Sequence, residues 1–451
     1  MAEGTLSSTL IPFLKDEIVN GNKLSFQKFR NDIFSLTIIL LFFVSCIFFF
    51  FSESFIKIFA SGFTDENIKL SSEMLQIMSP FLFFISLSAF NMGLLNSKSK
   101  FFAPAFSPTI FNLSVILSLI LSFYFFDLNI IHLSYAVLLG AIGQFLFQLP
   151  YIYKNDLNYS LSLTNLINSK TKNFLLLLGP QVLGLGIYNI NILINTQFAS
   201  FMEDGSITYL YLSERLLEFP LGVFAVSIAV TSMTKFSEFS AKNETQQISK
   251  YLSERMKFLF YLLAPCSAIF IFWGQDICSL LFERGEFSYT DSLNTSKALL
   301  AYSLGLIFVG GIRLLTQAYY SRKNTKIPFK LSVYNLFFNL FFCFLFSIQF
   351  NMGFFGLALA SSISAFILFL SLLFNLMQEN IDLDFKNIII FLIKIILLCI
   401  SVIYLTDFIL IFFKTINIGN FLILLKIFIF LLIFISVSYL LKIREFFLIK
   451  E

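Results

Sequence analysis

Predominantly apolar runs of about 20 residues recur along the chain from residue 33 to residue 441. As helices, such runs cover the roughly 30 Å hydrocarbon core of a bilayer, because a helix rises about 1.5 Å per residue. A membrane β-barrel would instead show segments of about ten residues with alternating polarity, and none is visible. With 57% hydrophobic and 13% charged residues, the chain is predicted to be an all-α polytopic membrane protein.

We place about twelve complete spans along the chain. They lie at residues 33–53, 74–95, 106–126, 130–152, 174–198, 206–233, 257–282, 298–320, 329–350, 354–377, 387–408 and 419–441. The loops between them are short. The sequence therefore leaves no soluble catalytic domain between spans, and the activity is expected to lie in the membrane.

The distribution of basic residues predicts the orientation. If residues 1–30 are cytoplasmic, alternate loops carry most of the lysines and arginines, and Arg30 belongs to the first of them. Cytoplasmic loops of membrane proteins carry this excess of positive charge, so both chain ends are expected in the cytoplasm. The basic loops are short and lack stacking aromatics, which argues against nucleic acid as a partner. The opposite loops hold only Lys57, Lys69, Arg284 and Lys414.

The cysteines and the histidine predict no metal site and no cofactor. Five cysteines are scattered and mostly lie within spans, which is typical of small apolar packing residues. His132 is the only histidine, so no cluster of histidine ligands can form. The cysteines are Cys46, Cys266, Cys278, Cys343 and Cys399.

One arginine interrupts a span. The segment GSITYLYLSERLLEFPLGVFAV, residues 205–226, places Arg215 between Glu214 and Glu218. Charge at membrane depth is costly and usually faces a bundle interior or a wet cavity. This favours a site for an anionic group. The alternative is an Arg215–Glu218 pair that neutralises itself and holds two helices together.

Other polar residues allow both a binding and a structural interpretation. Asn191 and Asn195 share one face of a helix at the i, i+4 spacing, and could line a cavity or hydrogen-bond to neighbouring helices. Arg313 lies near the inner end of its span, where a long side chain can reach the interface. Pro180 and Pro220 lie inside spans and predict kinks.

Two segments suggest related halves. A span, a basic hairpin, a proline and a new span follow one another in NSKSKFFAPAFSPTIFN, residues 96–112. The same order recurs in SRKNTKIPFKLSVYN, residues 321–335. Repeated halves are a common construction of transporters, with the substrate site between them near the midplane.

Several motifs carry a resemblance to a known family. The stretch from GPQVLGLGIYNINILINTQFASFM to GSITYLYLSERLLEFPLGVFAVSIAV, residues 179–230, resembles the seventh and eighth spans of the MurJ (MviN) lipid II flippases. Further matches follow in the family's order and extend over nearly the whole chain. They are MAEGTLSSTLIPFL, AFSPTIFN, GAIGQFLFQLP, LFERGEF, TSKALLAYSLGLIFVGGIRLLTQAYYSRKNTKIP and GLALASSIS.

The resemblance implies an architecture of two MATE-like helical lobes. The family has fourteen spans, as two six-helix lobes across a cavity and a final pair that forms a groove for the lipid tail. By this resemblance the chain begins within the second span, which predicts a start assigned too late or a truncated gene. The implied parts are an N-terminal lobe 1–152, a cytoplasmic linker 153–173, a C-terminal lobe 174–378, the tail-groove pair 385–441 and a cytoplasmic tail 442–451.

The resemblance also implies the activity and the site. The expected function is transfer of lipid II from the inner to the outer leaflet of the bacterial inner membrane by alternating access, by a monomer surrounded by membrane lipids. Some members have an acidic, cation-binding residue near the position of Asn195, so the asparagine argues against such an ion site. The implied site residues are Arg215, Glu214, Glu218, Arg313, Glu3 of the AEG signature, Asn191 and Asn195.

The alternatives are a related exporter, an inactive truncated flippase and an intramembrane transferase. A related polysaccharide-lipid or multidrug exporter would share the lobes, and a truncated flippase would be inactive. An intramembrane transferase would need a clustered nucleophile, base or metal set, and the sequence contains no such cluster. The acids of the outer loops are interpreted as solvated charge: Glu203, Asp204, Asp276, Glu283 and Glu286.

Overall fold

The computed structural model describes most of the chain as helix. It covers residues 10, 13–14, 23–125, 129–162, 166, 168–242, 244–322, 324–379, 381, 383–411, 422–441 and 443. Side chains at 177, 179–185, 187–188, 234 and 241 lie outside the described part. Over these residues the chain forms helices and no strand, as the sequence predicts.

The chain divides into two compact units, residues 1–190 and 191–451. The helices of the first unit are α1 (Lys23–Phe50), α2 (Ser52–Phe59), α3 (Asp65–Met78), α4 (Phe81–Ser97), α5 (Phe102–Phe125) and α6 (Ile130–Lys154). Helix α7 (Ser169–Ala199) contains the division between the units.

Helix α6 packs against α3, α4 and α5 at the centre of the first unit. The fully buried Gln148 of α6 donates hydrogen bonds to Ser88 of α4 and Ser107 of α5, each at 2.9 Å. Amide and hydroxyl side chains that bond across helices hold membrane bundles together where the hydrophobic effect cannot. Gln148 therefore fixes three helices at one point.

The segment after α6 is bonded to α1. The amide of Asn31 donates to the Ser160 hydroxyl at 3.0 Å and accepts from the Ser160 backbone at 3.2 Å. The amide of Asn168 donates to the carboxylate of Asp32 at 2.9 Å. Tyr159 packs beside α1 as well, and burial raises the pKa of its hydroxyl to about 12. Part of the predicted linker is thus attached to α1.

The second unit contains the remaining helices. They are α8 (Ser206–Pro220), α9 (Ser227–Ala241), α10 (Thr245–Phe282), α11 (Tyr289–Ser303), α12 (Leu306–Ser321), α13 (Lys326–Cys343), α14 (Gly353–Gln378), α15 (Phe385–Ile411) and α16 (Leu422–Leu440). Helix α10 is central in its core, where it packs against α11, α12, α15 and α16.

Ten helical stretches of the described chain are long and apolar enough to cross a membrane, or eleven if the bent pair α11–α12 is one span. The sequence predicts about twelve. Helix α7 occupies the predicted span 174–198 but is not among the ten, and many of its central side chains lie outside the described part. The prediction of a polytopic helical bundle is confirmed, and the number of spans is slightly lower over these residues.

The bend between α11 and α12 lies at a close contact with α14. The two helices meet at 45° around Gly305. A Cβ at this glycine would lie 2.8 Å from the Cα and 2.7 Å from the Oγ of Ser362 in α14. Because one of these atoms belongs to the backbone, the clash could not be relieved by a rotamer change, and only glycine allows this approach.

We expect Gly305→Ala to lower the free energy of unfolding by about 1–3 kcal/mol, the usual cost of overpacking a core. The measurement is a thermal scan of the purified protein followed by the fluorescence of its single tryptophan, Trp273. Gly222→Ala is the matched control, since its Cβ would meet nothing within 4 Å. Equal melting temperatures for the two variants would contradict the steric explanation.

Candidate functional site

Helix α8 is attached by one face to α11. The side chains of Tyr209, Ser213 and Leu217 lie buried on this face. They are four residues apart, so they share one face of the helix. The Tyr209 hydroxyl donates to the carboxylate of Asp291 at 2.6 Å. The Ser213 hydroxyl lies 2.7 Å from the carbonyl oxygen of Thr295 and can donate to it. These contacts fix the rotation of α8 about its axis.

Arg215 lies on the opposite face of α8. It is two positions after Ser213, which is about 200° around a helix. Its side chain is 55% exposed, and Nη1 donates to Oε2 of Glu218 at 2.5 Å. The guanidinium carbon lies 4.7 Å from the centroid of the Tyr211 ring. The predicted ion pair is present, but it joins two residues of one helix and does not hold two helices together.

The depth of Arg215 follows from its place in the span. It is nine residues after Ser206, the first residue of a 35-residue span, so it lies about 14 Å along a helix of about 52 Å, which is longer than the ~30 Å hydrocarbon core. An exposed charge at this depth needs water or a polar partner, because lipid tails solvate it poorly. The exposed face of α8 therefore fits a wet surface better than a lipid surface.

The helix changes form shortly after Arg215. Pro220 has no backbone N–H to donate, and Leu221–Val226 form a π-helical turn before α9 begins at Ser227. The wider turn changes the register of the faces that follow. It packs against α12, where a Cβ on Gly310 would lie 3.6 Å from Ala225. Such turns are frequent at functional sites.

Glu214 and Arg313 are both half-buried. Glu214 directly precedes Arg215 on α8. Arg313 lies on α12 next to the buried Leu314. Their assignment to substrate binding stays a prediction.

The two asparagines of α7 hydrogen-bond to neighbouring helices. The Asn191 carbonyl accepts from the Asn339 amide of α13 at 3.3 Å. The Asn195 amide donates to Ser361 of α14 at 3.0 Å, and its carbonyl oxygen accepts from the Cys343 thiol at 3.3 Å. Both polar atoms of Asn195 therefore have protein partners. These bonds match the structural alternative, while the binding assignment of both residues remains untested.

Two further predictions concern Glu3 and metal ions. Glu3 lies outside the described residues. Among those that are described, no group of three His, Cys, Asp or Glu side chains is arranged to hold a metal ion.

Sequence reasoning missed two buried charged residues at the start of α1. Arg30, assigned to a cytoplasmic loop, is 4% exposed within this helix, and Asp32 is fully buried. The guanidinium of Arg30 lies 5.5 Å from the centroid of the Phe26 ring. A signal was present, because Phe26, Phe29 and Ile33 continue the apolar face at i, i+3 and i+7. The helix therefore begins ten residues before the predicted span.

Comparison with known proteins identifies the family. The family model described as "Lipid II flippase MurJ" matches residues 1–436. The chain belongs to the MurJ lipid II flippase family. A probable lipid II flippase MurJ of Buchnera aphidicola subsp. Schizaphis graminum is 32% identical over 426 residues, which cover 93% of this chain and 82% of the relative. That of Helicobacter pylori strain 26695 is 30% identical over 387 residues, 82% of each chain.

Solved structures agree with this membership. A lipid II flippase MurJ in an inward closed conformation matches with a TM-score of 0.81 and 28% identity, over 98% of this chain and 89% of that one. An inward-facing multidrug resistance MATE family transporter matches with a TM-score of 0.70 and 13% identity, over 84% and 87%. The second likeness concerns the fold alone. The resemblance to a MurJ-like transporter with a MATE-like fold is confirmed.

The contact between α8 and α11 is open to test. We expect Tyr209→Phe to lower the free energy of unfolding by about 1–2 kcal/mol, because a hydrogen bond to a charged acceptor is lost. Denaturant titration of the purified protein measures this. Tyr211→Phe, on the exposed face of the same helix, should leave stability within about 0.5 kcal/mol of the parent. A larger effect at Tyr211 than at Tyr209 would contradict the assigned orientation of α8.

Proposed function

We propose that the chain transfers lipid II, an undecaprenyl-pyrophosphate-linked disaccharide pentapeptide, from the inner to the outer leaflet of the bacterial inner membrane. Membership of the MurJ family supports the substrate. The structural observation that carries the proposal is Arg215, an exposed cation within a span, nine residues after its first residue.

An arginine suits a pyrophosphate head. Its planar fork can donate two parallel hydrogen bonds to phosphate oxygens, and it stays charged at every physiological pH. Glu218 accepts a hydrogen bond from Nη1 of Arg215, and the Tyr211 ring lies beside the guanidinium. The ring restricts the motion of the side chain without competing for the anion. The phosphate would thus meet a donor that is already oriented.

Glu218 supplies a way to release the substrate. An exposed i, i+3 pair in water contributes only about 0.3–0.5 kcal/mol, so a phosphate with higher charge displaces the carboxylate at small cost. When the pyrophosphate head leaves, the ion pair between Glu218 and Arg215 forms again. Glu214, on the adjacent position of α8, adds negative charge to the same helix turn. In this proposal the acids keep binding reversible.

The membrane potential favours the outward step. An inside-negative potential stabilises transfer of a negative head outward by about 2.3 kcal/mol per charge per 100 mV. The head itself cannot cross about 30 Å of hydrocarbon unaided.

We propose that the two lobes rock about the Arg215 site and expose it to each side in turn. Arg313, Asn191 and Asn195 would line the path in this scheme.

The test is a substitution of Arg215 in the full chain. We expect Arg215→Ala to reduce lipid II transfer in reconstituted vesicles at least tenfold, because charge-assisted hydrogen bonds worth about 1.5–3 kcal/mol are lost. Arg215→Lys should keep part of the activity, since it keeps the charge and loses the fork. Cells depleted of their own flippase give the second readout, growth.

The matched control is Arg284→Ala, an exposed arginine of the loop after α10. This variant should transfer lipid II at the parental rate. Unchanged transfer by Arg215→Ala would refute the role of Arg215. Transfer of a lipid-linked polysaccharide or a cationic drug, without transfer of lipid II, would instead support the related exporters.

A further inference from the structure

A groove runs along the surface of the second unit between α13 and α14. Its volume is about 670 Å³, which lies within the ~300–1,000 Å³ typical of small-molecule sites. The lining is almost wholly apolar and aromatic, from Leu331, Tyr334, Phe338 and Phe341 of α13 and Leu368 of α14. Both helices are membrane spans.

The groove has the length of one leaflet. Along α13 it extends from Leu331 to Phe341, ten residues or about 15 Å of helix rise. This is half of the roughly 30 Å hydrocarbon core. An acyl chain of a lipid in one leaflet would therefore fit along it from end to end.

One polar atom beside the groove, the side-chain oxygen of Asn335, lacks a hydrogen-bond partner. Asn335 lines the groove and is only 8% exposed, and its carbonyl oxygen accepts no hydrogen bond. An unsatisfied buried acceptor costs about 1–3 kcal/mol. This oxygen is itself buried, so a hydrocarbon chain lying in the groove covers it without donating to it.

A cation lies at one end of the groove. Lys330 is exposed, and its Nζ lies 5.7 Å from the centroid of the Tyr334 ring, which lines the groove. Within the described part of the chain Lys330 has no salt bridge, whereas nearby Arg322 pairs with Glu379. The distribution of basic residues places this end in the cytoplasm, on the side where anionic lipids attract juxtamembrane lysines.

We propose that the groove between α13 and α14 binds one anionic phospholipid of the cytoplasmic leaflet. The phosphate pairs with Lys330, and an acyl chain lies along the aromatic wall from Leu331 to Phe341. This lipid is a bound component of the protein and is distinct from the transported substrate. Its binding does not depend on Arg215.

The test is native mass spectrometry of the purified full chain with added lipids. Lys330→Gln should weaken phosphatidylglycerol binding about fivefold, since one lysine near an anionic lipid contributes about 1 kcal/mol, and leave the weaker phosphatidylcholine binding unchanged. Ile367→Trp, which fills the groove, should reduce binding of both lipids at least tenfold. Retained helical circular dichroism confirms that each variant is folded.

Lys386→Gln is the matched control, an exposed lysine at the start of α15 and away from the groove. It should bind phosphatidylglycerol like the parent. The proposal fails if Lys330→Gln and Lys386→Gln behave alike, or if the Ile367→Trp variant keeps its lipid. It also fails if a polyprenyl phosphate, and not phosphatidylglycerol, shows the Lys330-dependent binding, because the groove would then hold the carrier tail. Equal competition by free glycerol phosphate would overturn the part assigned to the acyl chain.

Discussion

The hydrogen bonds between α8 and α11 decide where Arg215 lies. A helix in a membrane can rotate about its axis at little cost unless polar side chains define its contacts, because lipid tails and apolar side chains are equivalent surroundings. Tyr209 and Ser213 supply these contacts, to Asp291 and Thr295. With that face buried, Arg215 can only be exposed. The position of the charge is thus set by a tyrosine and a serine on the opposite face of the helix.

Much of the fold could be predicted from the sequence because membrane helices depend on length and apolarity alone. A run of about 20 apolar residues has no other stable arrangement in a bilayer, where each backbone polar group must be satisfied within the segment. The same reasoning singles out Arg215, since a charge in such a run is rare. Its pairing with Glu218 also follows from local spacing, as the i, i+3 positions of one helix are neighbours.

Other features depend on contacts that local patterns do not contain. The partners of Asn195 lie 148 and 166 positions away, so a choice between lining a cavity and joining helices needs the packed structure. The burial of Arg30 depends on the packing of α1. Counting Arg30 among the charges of a cytoplasmic loop does not show this burial. The need for glycine at the bend comes from the close approach of Ser362 to position 305, and no proline near it marks the break. The partners of Asn195 and the contact at Gly305 thus depend on distant packing, which the neighbouring residues do not show.

The bond between Asp32 and Asn168 has a consequence for the order of biogenesis. The two residues are 136 positions apart, and a ribosome adds about 5–20 residues per second. The buried carboxylate of α1 is therefore synthesised roughly 7–27 s before its amide partner exists. During this interval the cytoplasmic end of α1 must remain in contact with water or the insertion machinery. This contact of α1 can form only after α6 and the segment that follows it have been synthesised.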